Sequence, residues 1–166
     1  FIESSTFIKI QHKWEVSYET PYSNQYTAGG NDGLIDLLRG NESFSSGRWQ
    51  GYYGDDFIAT LDMKENRDIK SVKIGMLQSP YSWIWFPKSI RISISEDGQH
   101  YVEAGIIKND YPLNSSGTTI KDFELSGLQK NARYIRIQAE NIGVCPDWHV
   151  GAGEKAWIFM DEIIVE

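Results

Sequence analysis

The chain has 166 residues, of which 40% are hydrophobic and 13% aromatic, and this length suits a single domain with one core. The formal net charge is -7, and the sequence contains no run of basic residues. These two features exclude an extended cationic surface for nucleic acid and argue against docking on an anionic membrane. No apolar run reaches the ~20 residues that a membrane-spanning helix needs.

The first periodic segment along the chain is Asn31–Gly40, "NDGLIDLLRG". Its leucines stand at helical spacing and Gly40 supplies a stop signal. A segment this short is a marginal helix, so the pattern predicts no more than one helical turn.

Later segments alternate between apolar and polar residues with a period of two, which is typical of half-buried strands. In "SIRISISEDG", for example, Ile90, Ile92 and Ile94 share one face, and Asp97-Gly98 predicts a hairpin turn. Turn signals recur every ten to fifteen residues or so, which is the spacing of a sandwich or barrel. Two packed antiparallel sheets with long, aromatic-rich loops are therefore expected. The predicted strand segments are Asp68–Leu77, Ser89–Gly98, Thr119–Leu128, Ala132–Asn141 and Ala156–Glu166.

No linker divides the sequence, so residues 1–25 are expected to be the first strand and lead-in of the same domain as residues 26–166. Cys145 is the single cysteine, which excludes an internal disulfide and favours a packed or semi-exposed thiol. Because the sequence begins at Phe1 without a signal segment, we expect a piece of a longer protein whose targeting signal lies elsewhere.

Several of these segments, in this order, resemble the discoidin superfamily, that is, the coagulation factor V/VIII type C domain. The resemblance rests on "GRWQGYYGDDFIATLDM", "IKSVKIGML", "FPKSIRISISEDGQHY", "ARYIRIQAEN" and "AWIFMDEIIV". Two further stretches, Tyr22–Asp36 and Cys145–Ile163, are similar to the C-terminal module of family 20 β-hexosaminidases (chitobiases) from gut Bacteroidetes.

This resemblance implies an all-β jelly-roll sandwich of the galactose-binding-domain-like kind, similar to family 32 carbohydrate-binding modules. It further implies a structural calcium ion, glycan contacts from loops at one end, and a neighbouring catalytic domain in the parent chain. That parent is expected to be a glycoside hydrolase of the β-hexosaminidase type outside the cytoplasm, in the periplasm, on the outer membrane or secreted.

The resemblance carries a calcium site onto Asp36, a carbonyl near Gly33, and Glu162 on the last strand, with Asn41 as a further candidate ligand. Carboxylates and carbonyls of a loop rich in Gly, Asn and Asp are ligands that Ca²⁺ accepts. The family's Asp-Gly pair and the Thr before its Trp are both replaced here. The alternative is that Asp36 is a turn residue and Glu162 a surface carboxylate on an edge strand.

A sugar presents an apolar CH face and a rim of hydroxyls, so a binding site needs aromatic platforms and planar polar groups. The Arg and Asn pair of sugar-binding relatives is absent from the loop that begins at Gln78, where Gln78 and Ser82 stand instead. The histidine that those relatives carry in the loop after Trp49 lies here in the loop around Trp148. Whether the sugar is of the GlcNAc or the galactose type therefore stays open. The candidate sugar-binding residues are Tyr52, Tyr53, Gln78, Tyr81, Trp83, Trp148 and His149.

Other aromatic residues are expected to be structural. Trp49 matches the family's core tryptophan, and Trp85, beside Phe86-Pro87, is a core candidate. Of Trp83, Trp85 and Trp148, two are expected to be at least half exposed.

No carboxylate pair, nucleophile elbow or phosphate loop stands out, so a non-catalytic module is expected. Two alternatives remain open. One is a structural module that packs against the catalytic domain without binding sugar, and the other is a discoidin-type protein- or lipid-binding domain.

Overall fold

A computed structural model describes residues 13–166, which form nine strands and one short 3₁₀ helix. No α-helix occurs within this range. The strands are β1 (Glu15–Tyr18), β2 (Gln50–Tyr53), β3 (Phe57–Ile69), β4 (Val72–Gln78), β5 (Ser89–Ser95), β6 (Val102–Lys108), β7 (Thr119–Leu125), β8 (Lys130–Ala139) and β9 (Trp157–Val165), and the 3₁₀ helix is Pro80–Ser82.

The strands form two antiparallel sheets that pack face to face. One sheet has five strands in the order β1-β3-β8-β5-β6, and the other has four in the order β2-β9-β4-β7. Neighbours in each sheet are mostly distant in sequence, as in a jelly roll, and β5 and β6 form the hairpin predicted from Asp97-Gly98. The structure thus confirms the predicted all-β jelly-roll sandwich.

The core lies between the sheets and is built by the predicted alternation. Ile90, Ile92 and Ile94 of β5 all point inward, with at most 7% of their surface exposed, while Arg91 between them is exposed. Burying one such aliphatic side chain stabilises the fold by about 1.5–3 kcal/mol. The period of two therefore fixes which face of each strand enters the core.

Four of the five predicted strand segments each correspond to one strand to within three residues at either end, whereas β2, most of β3 and β6 lie outside the predicted segments. The segment Asp68–Leu77, expected as a single strand, contains the end of β3 and the start of β4, joined at Lys70 and Ser71. Lys70 and Ser71 both donate backbone N–H groups to the Glu166 carbonyl, which ties this tight connection to the end of β9. A two-residue connection without glycine or proline gives little local signal.

The segment Asn31–Gly40 forms turns and bends and contains no helix. Leu37 and Leu38 in this segment are 49% and 44% exposed. Leu37 has a φ of 62°, in the left-handed region, which breaks any helical run. Leu34 is fully buried, and its carbonyl accepts a hydrogen bond from the backbone N–H of Ile163. Leu34 therefore bonds to the edge of β9 beyond the point where β2 begins, at the Gln50–Met160 pair.

The long connection from residue 26 to residue 49 covers the outer face of the four-stranded sheet. Trp49 lies there against Phe159 in a small second core, with each ring 1% exposed. Arg39 anchors the middle of the connection, because its guanidinium binds the fully buried carboxylate of Asp161 at 2.8 Å and also pairs with Asp122. Trp49 is thus a core residue, as predicted.

The prediction for residues 1–25 falls partly outside the described range, since residues 1–12 are not described. Within it, β1 pairs with β3, and Trp14 just before it packs against the main core. Among the described residues, no helix has the length and apolarity that crossing a membrane demands.

Candidate functional site

Five connections meet at one end of the sandwich, which we call the loop face. Phe57 pairs with Ala139, and Ala139 pairs in turn with Ile90, so the segments beside these residues share an end. The pairs Gln78 with Thr119 and Tyr53 with Trp157 bring the four-stranded sheet to the same end. The loop face comprises the segments 19–25, 54–56, 79–88, 109–118 and 140–156.

His149 joins two of these loops. Its Nδ1 accepts a hydrogen bond from the Gly151 backbone N–H at 3.0 Å, so Nε2 carries the proton and donates to the Pro80 carbonyl at 2.9 Å. Both ring nitrogens are therefore used within the protein. The imidazole fixes the loop after β8 onto the 3₁₀ helix after β4 and has no nitrogen left for a ligand.

Three tryptophans surround the His149 ring edge to face. The ring centroids of Trp83, Trp85 and Trp148 lie 6.4, 5.0 and 5.9 Å from that of His149. Edge-to-face packing of this kind holds aromatic rings in a defined arrangement. Gly151 is needed beside it, because a Cβ there would come within 2.8 Å of the Trp83 indole.

The aromatic residues around His149 differ in how much of their surface is exposed to solvent. Tyr81 is 94% exposed at the tip of the 3₁₀ helix and Trp148 is 57% exposed, while Trp83 is half-buried. Trp85 is 1% exposed and donates its indole N–H to the Leu113 carbonyl, which confirms it as a core residue. The expectation that two of the three tryptophans are at least half exposed is wrong, because Trp148 alone is. We call Tyr81, Trp83, Trp148 and His149 the His149 cluster.

A second aromatic group, Tyr26, Tyr53 and Trp157, lies beside this cluster, and we call it the Tyr53 group; of its members only Tyr53 was predicted from the sequence as a sugar-binding residue. The ring of Tyr53, 38% exposed, stacks at 4.6 Å on half-buried Trp157, which also meets Tyr26 edge to face at 5.3 Å. Lys155 places its ammonium 5.8 Å from the Tyr53 ring centroid. Trp157 joins the two groups, because its backbone N–H donates to the Trp83 carbonyl. Adjacent strand residues alternate in facing, so Tyr53 signals the position of this group once Tyr52 is known to be inside.

Two of the predicted sugar-binding residues are buried and cannot meet a ligand at the surface, so these two assignments are wrong. Tyr52 is 1% exposed, and its hydroxyl donates to Gln50 inside the main core. Gln78 is fully buried, and its side-chain amide donates to the Pro112 carbonyl and accepts from the Phe86 N–H. Gln78 therefore organises the loop face from beneath.

The predicted calcium residues Asp36 and Glu162 do approach each other. Glu162 lies on the central strand β9 and is 1% exposed, so it is not the surface carboxylate of the alternative interpretation. Burial raises the pKa of Glu162 to about 8, with the Asp36 carboxylate adding to the rise. Burial also raises the pKa of Asp36, against the hydrogen bond that its side chain accepts from Leu38.

Neither carboxylate oxygen of Glu162 has a hydrogen-bond partner among the described residues, although the Leu37 backbone N–H lies near enough to lower its pKa slightly. A buried carboxylate without partners is costly. A cation beside Asp36 and Glu162 would remove this cost, so the two residues fit a calcium ion. No group of three His, Cys, Asp or Glu side chains at metal-binding spacing occurs in residues 13–166, so further ligands would be backbone or amide carbonyls or water.

The remaining two calcium candidates differ in their surroundings. Gly33 packs tightly against the Ala28 carbonyl, in the turn that leads to Asp36, and a Cβ at Gly33 would clash with it. Asn41 lies beside Trp49, whose indole N–H donates to the Asn41 carbonyl, while its side-chain oxygen accepts from Ser43. Both oxygens of Asn41 are thus engaged, and nothing in the described contacts brings Asn41 to Glu162.

Comparison with known proteins gives one family and many similar folds. The family model for the F5/8 type C domain matches residues 15–159. No curated protein matches the sequence significantly.

Solved structures with the same fold include the C-terminal domain of a chitobiase from Bacteroides fragilis, 20% identical over 92% of both chains with a TM-score of 0.51. The family 32 carbohydrate-binding module of NanJ from Clostridium perfringens, in complex with galactose, is 15% identical over 92% of both chains with a TM-score of 0.54. The fucolectin from striped bass serum is 16% identical over 92% of this chain and 46% of its own, with a TM-score of 0.60. These similarities show the fold.

Proposed function

The chain belongs to the F5/8 type C domain family, and from this membership we propose that it is a non-catalytic carbohydrate-binding module that binds glycan at the loop face. One observation carries the proposal. Tyr81 and Trp148 expose flat aromatic surface at this end while His149 beneath them is held rigid by the protein's own hydrogen bonds. Exposed rings in fixed loops suit the apolar face of a sugar, because stacking then costs little conformational entropy.

The similar structures support the choice of ligand class. One is a family 32 module in complex with galactose, and another is the C-terminal domain of a chitobiase. We propose a GlcNAc- or galactose-containing glycan as the ligand. We also propose a glycoside hydrolase of the β-hexosaminidase type, acting outside the cytoplasm, as the parent protein, and its catalytic domain as the intramolecular partner.

The His149 cluster has the residue composition that glycan binding requires. Trp148 supplies an indole face, Trp83 adds a second, half-buried one, and Tyr81 offers a ring and a hydroxyl. Lys155 and Tyr53, in the neighbouring aromatic group, add a cation and a phenol for sugar hydroxyls. Weak binding is expected, since a shallow surface buries only part of a ligand.

Titration calorimetry with GlcNAc and galactose at millimolar concentration, alongside a glycan array, tests the proposal. Trp148→Ala should weaken binding about tenfold, which corresponds to ~1.4 kcal/mol. Tyr101→Ala is the matched control, since this half-buried tyrosine lies in the β5–β6 hairpin at the opposite end. Unchanged affinity in the Trp148 variant, or no binding to any glycan, would contradict the proposal.

Calcium binding is a second part of the proposal. Asp36 and Glu162 would hold the ion together with carbonyls of the turn around Gly33, and the ion would neutralise the two carboxylates. Its role would be structural, fastening the connection over residues 26–49 to the central strand β9. Support comes from the buried carboxylate oxygens of Glu162, which lack hydrogen-bond partners among residues 13–166.

A further inference from the structure

A groove of about 440 Å³ opens on the loop face, apart from the His149 cluster and the Tyr53 group. It lies where the connection after β6 meets the connection after β8, with Lys88 of the segment before β5 at its base. We call it the side groove. Its lining includes Lys88, Asn109, Tyr111, Leu113, Val144 and Pro146.

The side groove combines apolar walls with a few polar groups. Leu113 and Val144 are 38% and 52% exposed, although both are aliphatic. The Asn109 side-chain oxygen accepts from the Tyr111 N–H, and no hydrogen bond within residues 13–166 engages its NH₂ group. Lys88 adds an ammonium, paired with Glu140 at 3.0 Å on the surface. Apolar walls with few polar groups, in a volume of about 300–1,000 Å³, are typical of small-ligand sites.

Buried side chains hold the groove in shape. The Trp85 indole N–H donates to the Leu113 carbonyl at 3.1 Å, and the Gln78 amide donates to the Pro112 carbonyl at 2.9 Å. The Asn109 backbone N–H donates to the Lys88 carbonyl at 3.0 Å, which closes the base. A preformed groove binds a ligand without the cost of ordering its loops.

The side groove adjoins the proposed sugar platform. Pro146 lines the groove and Trp148 follows two residues later, a chain separation of at most about 7 Å. Pro146 and Trp148 belong to one tight turn, in which the His149 N–H donates to the Pro146 carbonyl. Val144 and Leu113 line the groove together with Pro146, so a glycan long enough to contact both Trp148 and Pro146 would extend toward them.

We propose that the side groove is a second sugar subsite, which takes the residue next to the one stacked on Trp148. This inference rests on the proposed function and extends it from a monosaccharide to an oligosaccharide. Apolar walls would meet the CH face of the second residue, while Asn109 and Lys88 would donate to its hydroxyls or to an N-acetyl carbonyl.

Affinity as a function of glycan length tests the subsite. Wild-type protein is titrated with GlcNAc and its β-1,4 disaccharide, and with galactose and lactose. For at least one pair, the disaccharide should bind five- to tenfold more tightly than the monosaccharide. Val144→Glu and Leu113→Glu should each abolish that gain and leave monosaccharide affinity unchanged, because both place a carboxylate in an exposed apolar wall.

Val102→Glu is the matched control, since Val102 is 67% exposed at the opposite end of the sandwich. The backbone amide NMR signals of Asn109, Tyr111 and Leu113 and of residues 142–145 should shift when the disaccharide is added and stay unchanged with the monosaccharide. Equal affinity for both members of each pair, or a gain that survives both groove variants, overturns the subsite and leaves the proposed function standing. Absence of binding to every sugar overturns both.

Discussion

Replacing Glu162 with glutamine removes the charge of the one buried carboxylate whose two oxygens both lack hydrogen-bond partners among the described residues. Glutamine has almost the same shape, so packing around this buried position is kept. The variant therefore separates the electrostatic cost of Glu162 from its volume, both with and without calcium.

The magnitude follows from the pKa. Burial raises the pKa of Glu162 from 4.5 to about 8, so between these values the folded state binds more protons than the unfolded state. Without a metal ion, stability therefore falls as pH rises through this window and is fully retained below it. Integrated from pH 4.5 to pH 7 at about 1.4 kcal/mol per pH unit, the cost is about 3 kcal/mol. For a domain of this size, that is about 6–12 °C in Tm.

The assay is thermal unfolding by circular dichroism between pH 5 and pH 8, in EDTA and in excess calcium. In EDTA, Glu162→Gln should melt about 6–12 °C above wild type at pH 7, and the two should converge to within ~1 kcal/mol near pH 5. Calcium at pH 7 should raise the Tm of wild type and leave that of the variant unchanged, because binding stabilises only the form that holds the ion.

Glu124→Gln serves as the control, since it removes the same charge from an exposed position on β7. If the Tm of wild type and the Tm of Glu162→Gln change in parallel with pH in EDTA, the reasoning about the burial of Glu162 is refuted. A calcium-independent Tm for wild type across the pH range would refute the proposed ion. The two outcomes are independent, so each part of the argument can fail alone.

Three further predictions concern stability and use urea unfolding as the measurement. Arg39→Ala should lower the free energy of unfolding by about 2 kcal/mol, because it leaves the buried Asp161 carboxylate with the Gly40 N–H but without its cation. The loss is smaller than for a fully buried ion pair, since Arg39 is partly exposed. A loss equal to that caused by Asp122→Asn would contradict this. Gly75→Ala should lower the free energy of unfolding by about 2 kcal/mol, since its Cβ would lie 2.0 Å from an Asp161 oxygen. An unchanged free energy of unfolding would show that the loop over the sheet moves freely. Hydrogen bonds from Arg133 hold the pKa of Asp62 well below its usual range, so their stabilisation is present above pH ~4 and is lost at lower pH. Asp62→Asn should therefore cost about 1 kcal/mol at pH 7 and almost nothing near pH 2, and a pH-independent difference would rule out the ion pair as its cause.

The sequence alone determined the class of fold and the faces of the strands. Alternation of period two places Ile90, Ile92 and Ile94 on one side wherever the strand lies, because side chains of a strand point alternately to its two faces. Turn residues such as Asp97-Gly98 act within a few residues, so they too are legible locally. Trp49 was predicted as a core residue from the family resemblance and not from a local signal.

Only the tertiary structure decided which aromatic residues serve the surface. Trp85 and Trp148 both lie in loops, yet Trp85 is 1% exposed and hydrogen-bonded to the Leu113 carbonyl, whereas Trp148 is 57% exposed. The difference comes from which loops meet, and that is set by strand pairs far apart in sequence. Gln78 illustrates the same point, since a polar residue at the end of a strand became a buried anchor for the loop above it.

Glu162 and its neighbour Asp161 show why the rest was out of reach of local patterns. They lie at an irregularity in the sheet, where the register of β9 against β4 shifts and the simple alternation of strand side chains is interrupted. Both are buried, because the connection over residues 26–49 crosses the outer face of the four-stranded sheet and covers Asp161 with Arg39. Sequence patterns fix which way a side chain points, whereas what lies on that side depends on contacts between distant segments.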